Sequence, residues 1–199
     1  MSNSHPISTP ALPNEHLVKL SSPEVDDKSY QCSSLMYPML GTRPDLGYTI
    51  AALGHHAANP GPDHQHALEH VFRYLRATSD QQLVFRQGTP DGSTLFSYAD
   101  ADWASDVNNH KSTSGYVFKL AGAAVSWSSK KQTSVALSST EAEYIARAHA
   151  AKEVVWLRQL LSKLGQGTRY PTTLLIDNQS AIAITKNPEF HDQTKHIDV

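Results

Sequence analysis

The sequence has a single cysteine, Cys32, among its 199 residues. That excludes an internal disulfide and fits a reducing compartment without requiring one. It has no apolar run approaching the roughly 20 residues of a membrane-spanning helix, so no membrane partner is expected. Its first residues, MSNSHPISTPALPNEH, lack the charged-then-apolar layout of a secretory signal, and an intracellular protein is expected. It also lacks a large excess of either charge. With 17 Lys and Arg against 19 Asp and Glu, the net charge is -2, so the basic balance of many nucleic-acid binders is missing. Eleven histidines can add positive charge where their surroundings favour it. There are no internal repeats. What is present is an apolar fraction of 39%, slightly low but enough for a core. The length suits one domain of ordinary size or a small one with an appendage.

Residues 1–28 are rich in Ser, Pro, Asn and acidic residues, and we expect a disordered N-terminal segment there. Residues 29–93 read as a small helical segment. In TRPDLGYTIAALGHHAA, Leu46, Ile50, Leu53 and Ala57 recur at helical spacing, with Pro44 and Asp45 suited to a helix start. NPGP breaks the chain. DHQHALEHVFRYLRAT then places Ala67, Leu68, Val71, Phe72 and Leu75 on one face, and QQLVFRQGTPDGS reads as a short strand and a turn.

The character changes in residues 94–199. LFSYADAD, TSGYVFKL and AAVSWSSK read as three strands of an antiparallel meander, the last two separated by the Ala121-Gly122 turn. SSTEAEYIARAHAAKEVVWLRQLLSKLG is a long helix, opened by Ser138 and Glu141 at capping-box spacing and closed by Gly165. Its expected apolar stripe is Ala142, Ala146, Ala150, Val154, Leu157, Leu161 and Leu164. TTLLID is a fourth strand and NQSAIAITK a second helix. A strand reached through a crossover helix should lie parallel to one already present. The fold class is therefore α/β: a mixed sheet of three antiparallel strands plus a parallel one, with packed helices.

Two aspartates in the strand SYADADW are unusual, because aspartate is depleted in strands. Asp100 and Asp102 share a strand face with Phe96 and Tyr98, which we read as two charges beside the core. Glu143 stands in the second turn of the long helix and Asp177 at the end of the fourth strand, where sheets with crossover helices gather their ligand sites. Each has a plainer reading. Asp177 can cap the following helix, Glu143 can be an ordinary helical glutamate, and Asp100 an edge charge that blocks aggregation. Carboxylates that cluster repel one another unless a cation joins them. Oxygen ligands select Mg2+, Mn2+ or Ca2+ over zinc, and two such ions about 4 Å apart can drive phosphodiester cleavage.

Taken together, YADADWASD, KSTSGYVFKLAGAAVSWSSKKQTSVALSSTEAEYIA and LLIDNQSAIAITKNPEFHDQTKHIDV resemble the ribonuclease H region of copia-type retrotransposon Pol polyproteins. SLMYPMLGTRPDLGYTIAALGHHAANPGPDHQHALEHVFRYLRAT resembles the segment that joins reverse transcriptase to it. The resemblance covers residues 16–199. It implies an RNase H-like fold in residues 94–199, a reverse transcriptase tail in residues 29–93, and Mg2+ (or Mn2+) dependence with two ions. The implied activity is hydrolysis of the RNA strand in an RNA–DNA hybrid, in the cytoplasm (virus-like particle) or nucleus, beside the remainder of a Pol polyprotein. By position, Asp100, Glu143 and Asp177 correspond to the catalytic and metal-binding carboxylates; Asp198 either aligns with a fourth catalytic carboxylate or belongs to an upstream helix, the fourth acid then being lost. Asp102 has no counterpart and is read as a neighbour. There are two departures. Ala99 stands where the family commonly has serine, and thirteen residues follow Lys186, too few for a fifth strand and the helix after it. No paired-aspartate polymerase motif precedes residue 94. Alternatives are an inactive remnant that only binds nucleic acid or serves as a structural module, and a carboxylate pocket for calcium or a small phosphorylated ligand.

Hybrid binding would rest on phosphate contacts and the 2′-hydroxyl. Lys130 and Lys131 are candidate nucleic-acid contacts, with a solvated turn as the alternative. Asn178, Gln179 and Ser180 are candidates at a helix N-terminus, with simple capping as theirs. Arg73 and Arg76 could track a backbone, Trp103 could stack on sugars or bases, and Trp127 suits packing. His64, His66 and His70 raise a zinc hypothesis that no cysteine or third obvious ligand completes. Cys32 is read as packing.

Overall fold

The structure, a computed structural model, describes residues 7–11, 17–22, 24–25, 32–86, 94–167 and 169–186. Asp198 lies outside the described residues. The chain divides into two compact units, Met1–Leu83 and Val84–Val199.

The first unit is helical because its turns are set by proline and glycine. A 3-10 turn, Cys32–Leu35, runs into α1, Met36–Gly41. Pro44 opens a second 3-10 turn, Pro44–Leu46, that leads into α2, Gly47–Gly54. After NPGP, α3 spans Pro62–Ala77, with Pro62 in its first turn and Asp63 at its positive end. Leu46, Ile50, Leu53, Ala67, Leu68 and Val71 are buried as expected, and Phe72 and Leu75 pack partly against them. Ala57 instead lies exposed in the turn after α2. Arg43 is buried in a polar cluster. Its guanidinium donates to Asp45 at 2.7 Å and to the Thr78 hydroxyl at 2.7 Å, while the Tyr74 hydroxyl donates to Asp45 at 2.8 Å. Cys32 is buried beside Ile50, and burial raises its thiol.

The second unit is built on four strands: β1, Phe96–Asp102; β2, Thr113–Leu120; β3, Ala123–Lys131; and β4, Thr173–Leu175. Their order is β3-β2-β1-β4. The first three strands are antiparallel, and β4 lies parallel to β1. This is the expected RNase H-like mixed sheet. The β2–β3 turn places Ala121 at φ 54 and Gly122 at φ 83, the left-handed pair that a two-residue hairpin requires. The helix α4, Ser139–Lys163, crosses the sheet. Its Ser138 hydroxyl accepts from the Glu141 amide at 3.2 Å, and the Glu141 carboxylate reaches back to the Leu137 amide at 2.8 Å. It ends at Gly165, φ 74, where Gln166 N–H donates to Leu161 O at 2.8 Å and Gly165 N–H to Ser162 O at 3.1 Å. A short helix, α5, Gln179–Lys186, follows β4.

Three further expectations change. Residues 81–86 form no strand; Val84 and Phe85 are exposed, and Arg86 reaches the β2–β3 turn through one amide bond to Ala121 O at 2.8 Å. The stripe of α4 is buried at Ala142, Ala146, Ala150 and Leu157, but Leu164 is exposed at the helix end. The core face of β1 is the opposite one: Leu95, Ser97 and Ala99 are buried, with Leu95 and Ala99 packed with Phe118, Ala150 and Leu157. Tyr98, Asp100 and Asp102 are exposed on the face away from that core. Among the described residues, no helix is long and apolar enough to cross a membrane.

Candidate metal centre

The geometry of the centre follows from where β4 stops. It pairs with β1 only at Phe96, Ser97 and Tyr98. Beyond Tyr98, that edge of β1 has no strand partner among the described residues, so its backbone groups are open to side chains. The Ala101 N–H takes two acceptors there: Asp100 Oδ1 at 2.8 Å and Glu143 Oε1 at 3.2 Å. Glu143 arrives from α4, in the second turn after the Ser138 cap. Asp177 arrives from the bend between β4 and α5. One ligating oxygen from each of Asp100, Glu143 and Asp177 lies within 4.8 Å of the others. The aspartates are exposed and Glu143 is buried, only 7% exposed. Asp100 thus meets the other two around the open edge of its strand.

The electrostatics follow from that crowding. Burial pushes the Glu143 carboxyl from its ordinary 4.5 up to about 7; the Ala101 amide opposes this, and the nearby Asp100 and Asp177 add to it. Glu143 Oε2 is buried and has no hydrogen-bond partner among the described residues. An orphaned buried carboxylate oxygen facing two further carboxylates is costly in the protein alone. An all-oxygen, triply acidic donor set suits a hard divalent cation. The residues present therefore fit a hard divalent cation. Across the strand pair, Asp100 faces Gly115, so β2 places no side chain directly opposite it.

The other expected contacts separate. Asp177 is not the cap of α5; Asn178 is, its Oδ1 accepting from Ala181 N–H at 2.9 Å, which leaves Asp177 for the acidic trio. Gln179 and Ser180 are exposed in the first turn. Lys130 is exposed near the end of β3, but Lys131 is ion-paired with Asp106 in the loop after β1. Burial raises the Asp106 carboxyl, yet the Lys131 ammonium and the Asn108 amide groups outweigh it and hold the group at about 2. Trp103 is half-exposed and anchors the end of β1 by donating to Ala136 O at 3.1 Å. Trp127 is half-buried opposite Val117. Arg73 and Arg76 stand on α3.

The histidines do not gather. His64 accepts from the Gly61 N–H at 2.8 Å and stacks on His56, His70 bonds Thr9 O at 2.9 Å, and His66 is exposed. Among the described residues they are not part of any group able to share an ion. Sequence reasoning missed the Ala101 amide and the buried Gln132, because a backbone donor and a lone glutamine leave no spacing pattern to read.

No family model matches the chain, and no solved structure matches it significantly. Curated proteins do. The Retrovirus-related Pol polyprotein from transposon TNT 1-94 of Nicotiana tabacum is 41% identical over 208 residues, which is 100% of this chain and 15% of that protein. The Pol polyprotein from transposon RE2 of Arabidopsis thaliana is 38% identical over 200 residues, 99% of this chain and 14% of that protein. The Secreted RxLR effector protein 161 of Plasmopara viticola is 52% identical over 125 residues, 62% of this chain and 86% of that protein. The chain spans about one seventh of the length of the Pol polyproteins it matches along its whole course. Along its whole course the chain is thus similar to one stretch of retrovirus-related Pol polyproteins from transposons.

Proposed function

We propose that this segment is a ribonuclease H, a metal-dependent endonuclease that hydrolyses the RNA strand of an RNA–DNA hybrid. The observation that carries the reading is the convergence of Asp100, Glu143 and Asp177, with a buried Glu143 oxygen that lacks a partner. Asp100, Glu143 and Asp177 would hold divalent ions, two in this reading, which when bound would supply a Lewis acid and a water acidic enough to attack at neutral pH. The chain's own groups do the rest. Glu143, anchored on the Ala101 amide, is the fixed member of the set. Asp100 and Asp177, both exposed, face the side from which a nucleic acid strand would approach. Gly115 leaves that approach clear beside Asp100. Lys130 is the cation we assign to a phosphate contact, and Gln179 and Ser180 present polar side chains beside Asp177. Lys131 serves the loop instead, and Asn178 serves the α5 cap. Asp198 is retained as a fourth carboxylate in this proposal. The remainder of a Pol polyprotein is the proposed covalent context.

The test is cleavage of a labelled RNA–DNA hybrid by wild-type protein and by Asp100→Asn, each with Mg2+ and with a chelator. Wild type is expected to cut the RNA strand only with Mg2+, and the variant to lose at least about 100-fold, the upper end of what outer-shell changes cost metal enzymes. Equal cleavage by both proteins overturns the reading. Binding without cleavage favours the non-catalytic alternative.

A further inference from the structure

Gln132 lies in the segment between β3 and α4 and is 2% exposed. Its Nε2 donates twice, to Ser114 Oγ at 2.8 Å and to Ala142 O at 2.9 Å, and its own N–H donates to Ser112 O at 2.8 Å. These contacts close a circuit. Ala142 is the residue before Glu143. Ser114 is the β2 partner of Ala101, and the Ala101 N–H holds Glu143 Oε1. The side chain of Gln132 therefore clamps the turn of α4 that carries Glu143 to the strand opposite the amide that Glu143 must reach.

We propose that Gln132 is a positioning residue for the metal centre, setting Glu143 against β1; the inference rests on the metal-centre reading above. Two features favour this over packing. The Oε1 of Gln132 is buried with no partner among the described residues, an expense that methionine or leucine of similar volume would avoid. Both amide protons are used, one on the sheet and one on the helix, so the amide spans the joint that a hydrophobic side chain would only fill. Outer groups that orient metal ligands typically govern 10–100-fold in affinity.

The experiment measures Mn2+ binding calorimetrically in the metal-free full-length chain, with thermal melting and the Ala101 amide NMR shift as independent readouts. Gln132→Met keeps the volume and removes the donors. We expect a cooperative fold, a shifted Ala101 amide and about tenfold weaker Mn2+ binding. Phe118→Leu loosens the core away from the circuit and is expected to keep wild-type Mn2+ affinity. Wild-type affinity in folded Gln132→Met overturns the inference alone, as does equal weakening by Phe118→Leu. A wild-type chain that binds no Mn2+ overturns the metal-centre reading and this inference with it. If Gln132→Met does not fold, Ser114→Ala, which cuts the sheet-side arm, decides the question. About threefold weaker binding supports the clamp, and unchanged binding overturns it.

Discussion

Glu143 has one oxygen on the Ala101 amide and one with no partner, and its carboxyl is raised to about 7 by burial first and by Asp100 and Asp177 after it. A raised acid favours the folded state while it is protonated. Its contribution is fully present below the unfolded value of 4.5 and is lost as the pH rises through about 7. Metal-free protein should therefore lose stability between about pH 4.5 and 7 in denaturant titrations. Glu143→Gln should flatten that slope, and Mg2+ should remove it by joining the charges. A slope unchanged by Glu143→Gln would refute the assignment of the titration to this residue. At this scale the trio itself was legible in the sequence. Asp100 is an aspartate in a strand, Glu143 is spaced from a helix cap, and Asp177 ends a strand. The burial of Glu143 was not legible, because it depends on β4 stopping short beside it.

The loop after β1 is held by charges that lie outside the acidic trio. Asp106 bonds Lys131 at the end of β3 and the amide groups of Asn108. With its folded value at about 2 against 3.8, this ion pair contributes fully above the unfolded value and is lost as pH falls through about 2. Asp106→Asn should cost about 1 kcal/mol at neutral pH, after discounting for solvent screening, and progressively less as the pH falls toward and below 2, read from urea denaturation across that range. The strands and helices were largely readable, since alternation, the Ser138 cap, the Ala121-Gly122 turn and Gly165 are local signals. Which face of β1 turns inward was not. Alternation sets parity, but α4 decides which parity is covered, and it packs with Leu95 and Ala99 rather than the Tyr98 face. Residues 83–85 have strand-like side chains but lack a strand to pair with, so propensity alone misled. Asn178 rather than Asp177 is the cap because α5 begins at Gln179, one residue after it, which sets Asn178 Oδ1 within reach of the Ala181 amide.

For the whole chain, every described residue of the centre belongs to the unit Val84–Val199. A polypeptide of residues 84–199 should bind Mn2+ with the affinity of the full chain; a loss of more than about tenfold would show that residues 1–83 contribute to the centre. The net charge of -2 with three carboxylates in one place means that a polyanionic hybrid meets repulsion at the centre until a cation is bound. The proposal thus ties hybrid binding to divalent metal, where a strongly basic protein would depend on its surface charge.

The most direct measurement is anomalous diffraction from crystals of the full chain soaked in Mn2+. A peak bound by carboxylate oxygens of Asp100, Glu143 and Asp177, abolished in Asp100→Asn, is the predicted result. Density that places those three side chains apart, or a Mn2+ peak that none of them touches, would contradict it.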